Sequence, residues 1–356
     1  VITTADLTAA LDRLPRVPLA VTPTPLQELP GLAAALGLPS ILVKRDDLTG
    51  LAFGGNKVRM LEYFTGAAVE QGCDVFVGGG GAAQSNHARL CAAAARKAGL
   101  DPVIVLRTGA SDPGPSGNRL ITELVGADIR WFDGDPFMTD RFAASAFMDE
   151  LAEELRAAGR KPYVLHSSVH PLGLLAYLAC AAELAGQLAA RGVERAAVVA
   201  TSEGSVTAGL QLAATLLGLD WQVTGVTCRP WVGDDATTVP ERLATLARDA
   251  AAMVGLSSPL RPGDFAIIDE GPPGYGIASE AAWDAIALCA RADALLLDPV
   301  YTAKGMAGLL RLIRDGSIAA DRTPVFVHTG GLPALFAQPE AVLDAVRRRS
   351  GTVSAR

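Results

Sequence analysis

Cysteine is sparse in this sequence and shows no pairing pattern. Five occur, Cys73, Cys91, Cys180, Cys228 and Cys289, an odd number, widely scattered and without a CxxC pair. Neither a disulfide framework nor a zinc site is expected, and a reducing compartment fits. Long apolar runs are lacking too. The stretch from Ala176 to Leu188 is interrupted by Glu183 and Gln187 and is too short to span a bilayer. The opening residues Val1 to Asp6 contain no basic region followed by an apolar one, so no secretory signal is expected. Basic charge is not in excess: the net charge is -7. That balance argues against nucleic acid and anionic membrane as partners. These absences lead to the expectation of a cytoplasmic protein.

What is present is apolar material and a regular rhythm. Hydrophobic residues make up 50% of the 356 residues and charged residues 19%, enough for a large core. At roughly 150 residues per domain, two domains are expected. Strand candidates are Val75–Val77, Val103–Leu106, Ile129–Phe132, Tyr163–Leu165, Ala196–Val199, Val223–Val226, Ala294–Leu297 and Val325–Val327. Helical stretches alternate with them at Gln84–Ala98, Phe142–Ala157, Leu172–Ala190, Ser205–Leu217, Gly276–Arg291 and Lys304–Ile313. The run Asp112 to Gly117 reads as a loop before a helix start. Unbroken apolar strands separated by helices predict an α/β fold of two doubly wound parallel-sheet domains with a ligand cleft between them. The domain break is expected near Leu165–Leu174, giving 1–60 with 170–356 as the large domain and 61–169 as the small one.

Lysine is scarce: only Lys44, Lys57, Lys97, Lys161 and Lys304 occur. Lys57 follows Gly54-Gly55-Asn56, where glycines allow close backbone approach and Asn56 can cap the next helix. An amine placed in a cleft loses its proton more readily, which suits it to a Schiff base. Gln84-Ser85-Asn86-His87 opens a helix after a strand, offering amides and a hydroxyl to a carboxylate. Thr201-Ser202-Glu203-Gly204-Ser205-Val206-Thr207 follows another strand and opens another helix, which makes it a phosphate cup by the same physics. A third segment, Asp298-Pro299-Val300-Tyr301-Thr302-Ala303-Lys304, follows the candidate strand Ala294–Leu297.

Together these segments resemble the D-cysteine desulfhydrase and 1-aminocyclopropane-1-carboxylate (ACC) deaminase family of fold type II pyridoxal-phosphate (PLP) enzymes. The likeness runs in order from Pro18-Leu19 through Lys44–Gly50 and Lys57 to His328-Thr329-Gly330-Gly331. It implies that Lys57 carries PLP as a Schiff base and that Asn86 meets the 3-oxygen. It implies that Thr201, Ser202, Glu203, Gly204, Ser205 and Val206 form the phosphate cup. Ser85 matches the substrate-carboxylate ligand and a candidate for proton transfer, with Asn86 and His87 beside it. Read without the resemblance, His87 is a structural residue at a helix start. Tyr275 and Tyr301 match two tyrosines that approach the substrate, and Thr302 matches the group facing the pyridine nitrogen. The family's ACC deaminases carry Glu at that last position and its D-cysteine desulfhydrases carry Thr. A hydroxyl cannot hold a proton on the pyridine nitrogen as a carboxylate does, so Thr302 points to β-elimination. The expected activity is α,β-elimination of D-cysteine or a related β-substituted amino acid by a homodimer.

The sequence departs from the family pattern at four places. Met60 replaces a second lysine, and Val206 replaces a threonine. Glu203 brings negative charge into the cup, unfavourable beside phosphate unless its side chain points away. His166-Ser167-Ser168-Val169-His170 replaces a more Gly/Ser/Asn-like run, and on its own reads as a loop with no adjacent carboxylate to help bind a metal. Three alternatives therefore stand beside desulfhydration: ACC ring opening, PLP or ligand binding without turnover, and a dinucleotide reductase built on Gly78, Gly80 and Ala83.

Overall fold

The computed structural model describes residues 1–108, 114–134 and 143–349. Its strands are β1 (Leu26–Glu28), β2 (Leu42–Lys44), β3 (Val75–Ala82), β4 (Asp101–Thr108), β5 (Asp128–Asp133), β6 (Pro162–Val164), β7 (Arg195–Ala200), β8 (Asp220–Thr227), β9 (Ala266–Asp269) and β10 (Thr323–Val327). The helices are α1 (Thr4–Leu11), α2 (Pro30–Leu36), α3 (Lys57–Glu70), α4 (Asn86–Lys97), α5 (Gly117–Leu124), α6 (Ala143–Ala157), α7 (Pro171–Ala189), α8 (Ser205–Leu217), α9 (Asp235–Met253), α10 (Glu280–Asp293), α11 (Thr302–Arg314) and α12 (Pro339–Arg348).

The strands form two sheets. One has the order β1-β2-β10-β7-β8-β9, parallel except for the β1–β2 pair, and the other has the order β5-β4-β3-β6. All pairings of the smaller sheet are parallel. The smaller sheet is drawn from residues 75–164, and the larger from 26–44 and 195–327. Central strands β7 and β10 are buried along nearly their whole length, as expected of parallel strands covered by helices on both faces.

Helix α7 supplies much of the shared core. At 19 residues it is long and apolar enough to cross a membrane by composition, contrary to the sequence expectation, but it is largely buried among α3, α8 and α9. Its two polar positions explain the burial. Glu183 and Gln187 bind the Lys44 ammonium, the latter at 2.7 Å. Glu183 also meets Arg59 at 3.1 Å, and Arg59 in turn meets Asp46 at 2.9 Å. This buried network ties α3, which begins at Lys57, to β2 and α7. Deleting one member would leave an uncompensated charge, at a cost of about 3–5 kcal/mol.

Two sequence expectations need correction. Residues Ala294–Leu297 do not join a sheet. Ala294 instead takes a left-handed turn at φ 53° that ends α10, and Leu295 N donates to Cys289 O. Leu295 and Leu297 are buried while Leu296 is exposed, an alternation that reads as a strand. The helix expected from Gly276 starts later, at Glu280, where Ser279 caps it. Asp112, Pro113 and Phe142 lie outside the described residues.

Candidate active site

Two glycine turns cross beneath Lys57. Gly55 has φ 127°, and a Cβ added at Gly330 would come within 2.6 Å of the Gly55 Cα. Only glycine permits that approach. Asn56 N donates to Thr329 O at 2.9 Å, locking the two turns together. Asn56 does not cap α3 as expected; its backbone is already helical and its side chain makes no cap bond.

Lys57 is half-buried, and its Nζ donates to Ser168 Oγ at 2.9 Å. Met60 Sδ lies 3.8 Å from the same nitrogen, so an apolar group stands where the family pattern has a second cation. Burial lowers the Lys57 amine to about 8. The nearby Cys91 and Cys228 thiols offer no compensating charge, since burial pushes both upward, Cys228 to about 12.

A cavity of about 170 Å³ lies over this amine. From α4 come Asn86 and His87. Ser85 caps that helix, its hydroxyl accepting from Ala88 N at 3.3 Å. Asn86 Oδ1 is buried without a hydrogen-bond partner, leaving the amide available to a ligand. Burial, reinforced by the Lys57 charge, lowers His87 to about 3 and keeps it neutral. Ser85 stands behind this wall. A Cβ at Gly81 would lie 2.8 Å from Ser85 Oγ and 3.9 Å from the Tyr275 hydroxyl, so the two flank one glycine.

Residues 201–206 line another wall, between β7 and α8. Gly204 sits at the N-cap of α8 and makes no side-chain cap bond, so the first-turn amides have no acceptor within the helix. A Cβ there would lie 2.7 Å from Val169 Cγ2. The Ser205 hydroxyl donates to Ser168 O at 2.8 Å, and Ser202 Oγ accepts from Gly204 N at 3.0 Å. Glu203 is held by Arg229, Nε to Oε1, at 2.6 Å. The free amides, the dipole of α8, the neutralised Glu203, the unpartnered Asn86 and the amine of Lys57 fit a phosphate-bearing aldehyde cofactor.

Tyr301 lines the cavity and Tyr275 stands behind it, hydroxyl against hydroxyl, the ring centroids 5.9 Å apart. Burial raises both phenols, so each stays protonated at neutral pH. Lys304 fixes their relation. Its fully buried ammonium donates to the carbonyls of Cys228, Gly271 and Gly274, at 3.2, 2.5 and 2.8 Å, matching its three protons.

Thr302 departs from its expected place. It is fully buried, absent from the cavity lining, and its hydroxyl donates to Asp298 Oδ1 at 2.7 Å. Asp298 also accepts from the amides of Val300, Tyr301 and Thr302, which turns Thr302 into the clasp of the α11 start. Thr329, two residues after β10, does line the cavity. Sequence reasoning also assigned no role to Cys228 or Val169, both cavity residues. Ser168 and Thr329 lay in segments already singled out, but nothing local marks which residue of a loop faces inward.

The remaining candidates separate from the cavity. His166 has a carboxylate neighbour after all, Asp149 Oδ1 at 2.7 Å, in an exposed pair. His170 caps α7, accepting from Leu172 N at 3.1 Å. Gly78 to Gly81 remain within β3 instead of forming the glycine turn that a dinucleotide fingerprint needs.

Residues 17–330 match the family model described as pyridoxal-phosphate dependent enzyme. A D-cysteine desulfhydrase from Yersinia enterocolitica is 37% identical over 335 residues, 92% of this chain and 97% of the relative. A Pyrococcus abyssi protein, provisionally named a 1-aminocyclopropane-1-carboxylate deaminase, is 35% identical over 338 residues, 94% of this chain and 97% of the relative. The crystal structure of an ACC deaminase homologue superposes with a TM-score of 0.85 at 33% identity, covering 96% of this chain and 99% of the other.

Proposed function

Because the chain belongs to the pyridoxal-phosphate dependent enzymes, in the group of ACC deaminases and D-cysteine desulfhydrases, we propose that it catalyses α,β-elimination of D-cysteine or a related β-substituted amino acid. One observation carries the choice within the group. The carboxylate in the cavity wall, Glu203, is bound to Arg229, and two residues after β10 the hydroxyl-bearing Thr329 lines the cavity. A hydroxyl does not hold a proton on a pyridine nitrogen, which favours loss of a β leaving group over chemistry needing a long-lived carbanion.

The residues divide the work as follows. PLP, when bound, withdraws electrons from the amino acid's α-carbon. The amides of α8 would hold its phosphate, and Asn86 would face the ring. Lys57 would hold the cofactor through its amine and take the α-proton of the bound amino acid; burial suits it to that role near neutral pH. The amides at the start of α4, the helix that Ser85 caps, would receive the substrate carboxylate. Tyr301, backed by Tyr275, keeps its proton and donates toward the β-substituent. Hydrosulfide leaves, and water then completes conversion to a 2-oxo acid and ammonia.

The test is a substrate comparison among D-cysteine, L-cysteine, D-serine and ACC, following sulfide and 2-oxo acid. D-cysteine is expected to be turned over fastest. Rapid 2-oxobutyrate release from ACC would instead support ring opening, the reading favoured by the name of the Pyrococcus relative. Lys57→Ala is expected to lower turnover by about a thousandfold or more and to abolish the borohydride-sensitive band in the region of roughly 410–430 nm. Full turnover with the band retained would sink the assignment, and a colourless wild-type protein that takes up no PLP would favour a binding role without turnover. The division into domains 1–60 with 170–356 and 61–169, the homodimer and the cytoplasmic location belong to the same proposal. The two-sheet arrangement supports the first, and the five free thiols support the last.

A further inference from the structure

A carboxylate in a phosphate cup calls for an explanation, and the structure offers one in Arg229. This residue follows β8, next to Cys228. Cys228 faces the cavity, while Arg229 is absent from its lining and reaches Glu203 from behind. Its guanidinium is nearly buried, with Nε on Glu203 Oε1 at 2.6 Å and Nη1 on Asp235 Oδ2 at 2.8 Å. Asp235 begins α9 and also accepts from Val232 N at 2.9 Å, so Arg229 is anchored on its far side. The second oxygen of Glu203, Oε2, is buried without a hydrogen-bond partner. Glu203 therefore stands in the cup wall with one oxygen tied and one untied.

We propose that Arg229 is a positioning residue for the cofactor phosphate: it fixes the Glu203 carboxylate and cancels its charge, so that the α8 amides can receive an anion. The inference rests on the PLP reading above but concerns residues by which this chain departs from its family's pattern. Arg229 acts through Glu203, which gives the idea a sharp consequence. Without the guanidinium, the carboxylate would repel the phosphate at short range in a partly desolvated cup. That repulsion corresponds to a loss of affinity on the order of tenfold to a hundredfold. If Glu203 is neutral as well, the loss should disappear.

The experiment is a titration of cofactor-free protein with PLP and, in parallel, with pyridoxal, which lacks the phosphate. Wild type, Arg229→Gln, Glu203→Gln and the double variant are compared. Arg229→Gln should bind PLP more weakly by the stated factor while its pyridoxal affinity stays unchanged. Glu203→Gln should bind PLP at least as tightly as wild type, and the double variant should recover most of the loss. A merely structural role for Arg229 would weaken both ligands and would not be rescued, since the double variant also lacks the Asp235 contact. Undiminished PLP affinity in Arg229→Gln, or a double variant as weak as the single one, would overturn the proposal. If Arg229→Gln does not fold, Arg229→Lys serves. It should weaken PLP in the wild-type background and not in Glu203→Gln, and equal weakening in both overturns the idea. Failure of the wild type to take up PLP would refute the cofactor reading itself and is distinguishable from all of these.

Discussion

Helices α4 and α8 both start at the carboxyl end of a parallel strand and both border the same cavity, yet their first turns are finished differently. Helix α4 carries its own cap, the Ser85 hydroxyl receiving Ala88 N. Helix α8 has Gly204 at that place and no side-chain cap. A capped helix has already satisfied part of its positive end, while an uncapped one leaves its amides to a ligand. The two helix starts are therefore fitted to different ligands. Helix α8 suits a permanently charged phosphate, and α4 presents mainly side chains, Asn86 and His87, toward the cavity.

Giving α8 a cap should erase the contrast and produces the largest expected effect. Gly204→Asp would bring a carboxylate to the free amides and force Val169 to shift, since even a Cβ lies 2.7 Å from Val169 Cγ2. PLP affinity should fall by about a hundredfold or more, read by equilibrium titration; an unchanged affinity would mean that the phosphate is held elsewhere. The amine between the two termini gives the next effect. Burial lowers Lys57 to about 8, so its unprotonated fraction grows as pH rises toward that value and then saturates. The rate of PLP attachment to cofactor-free protein should climb about tenfold per pH unit below the plateau. A rate still climbing well above pH 8 would show an unburied amine. The smallest effect belongs to α4. Ser85→Ala should cost about 1 kcal/mol of stability, a drop in Tm of roughly 2 °C, with PLP affinity intact. Loss of PLP affinity in this variant would break the division of labour between the two helices.

The elements that determine this contrast were readable from sequence for a physical reason. Apolar strand, small polar turn and Ala/Leu helix are local patterns, so the starts of α4 and α8 and the place of Lys57 could be found without tertiary information. What failed were properties set by distant partners. Asn56 stands where a cap belongs, but its backbone, tied to Thr329 through its amide, is already helical and its side chain makes no cap bond. Thr302 looked like a ring partner but closes on Asp298, four residues away, once α11 forms. The partner of Glu203 lies 26 residues along the chain, beyond the end of β8, so its neutralisation left no mark in the local sequence. Ala294–Leu297 alternates as a strand should but remains outside the sheet, its first residue being the left-handed end of α10.

The burial of Lys304 has a consequence for chemical labelling. Of the five lysine side chains, Lys44 and Lys304 are sealed inside the protein, Lys97 and Lys161 lie on its surface, and Lys57 alone opens into a cavity. A small amine-directed reagent applied to the folded protein near pH 8 therefore meets three lysines, not five. Protection of one of those three by PLP would report occupancy of the site by mass alone, before any substrate is known.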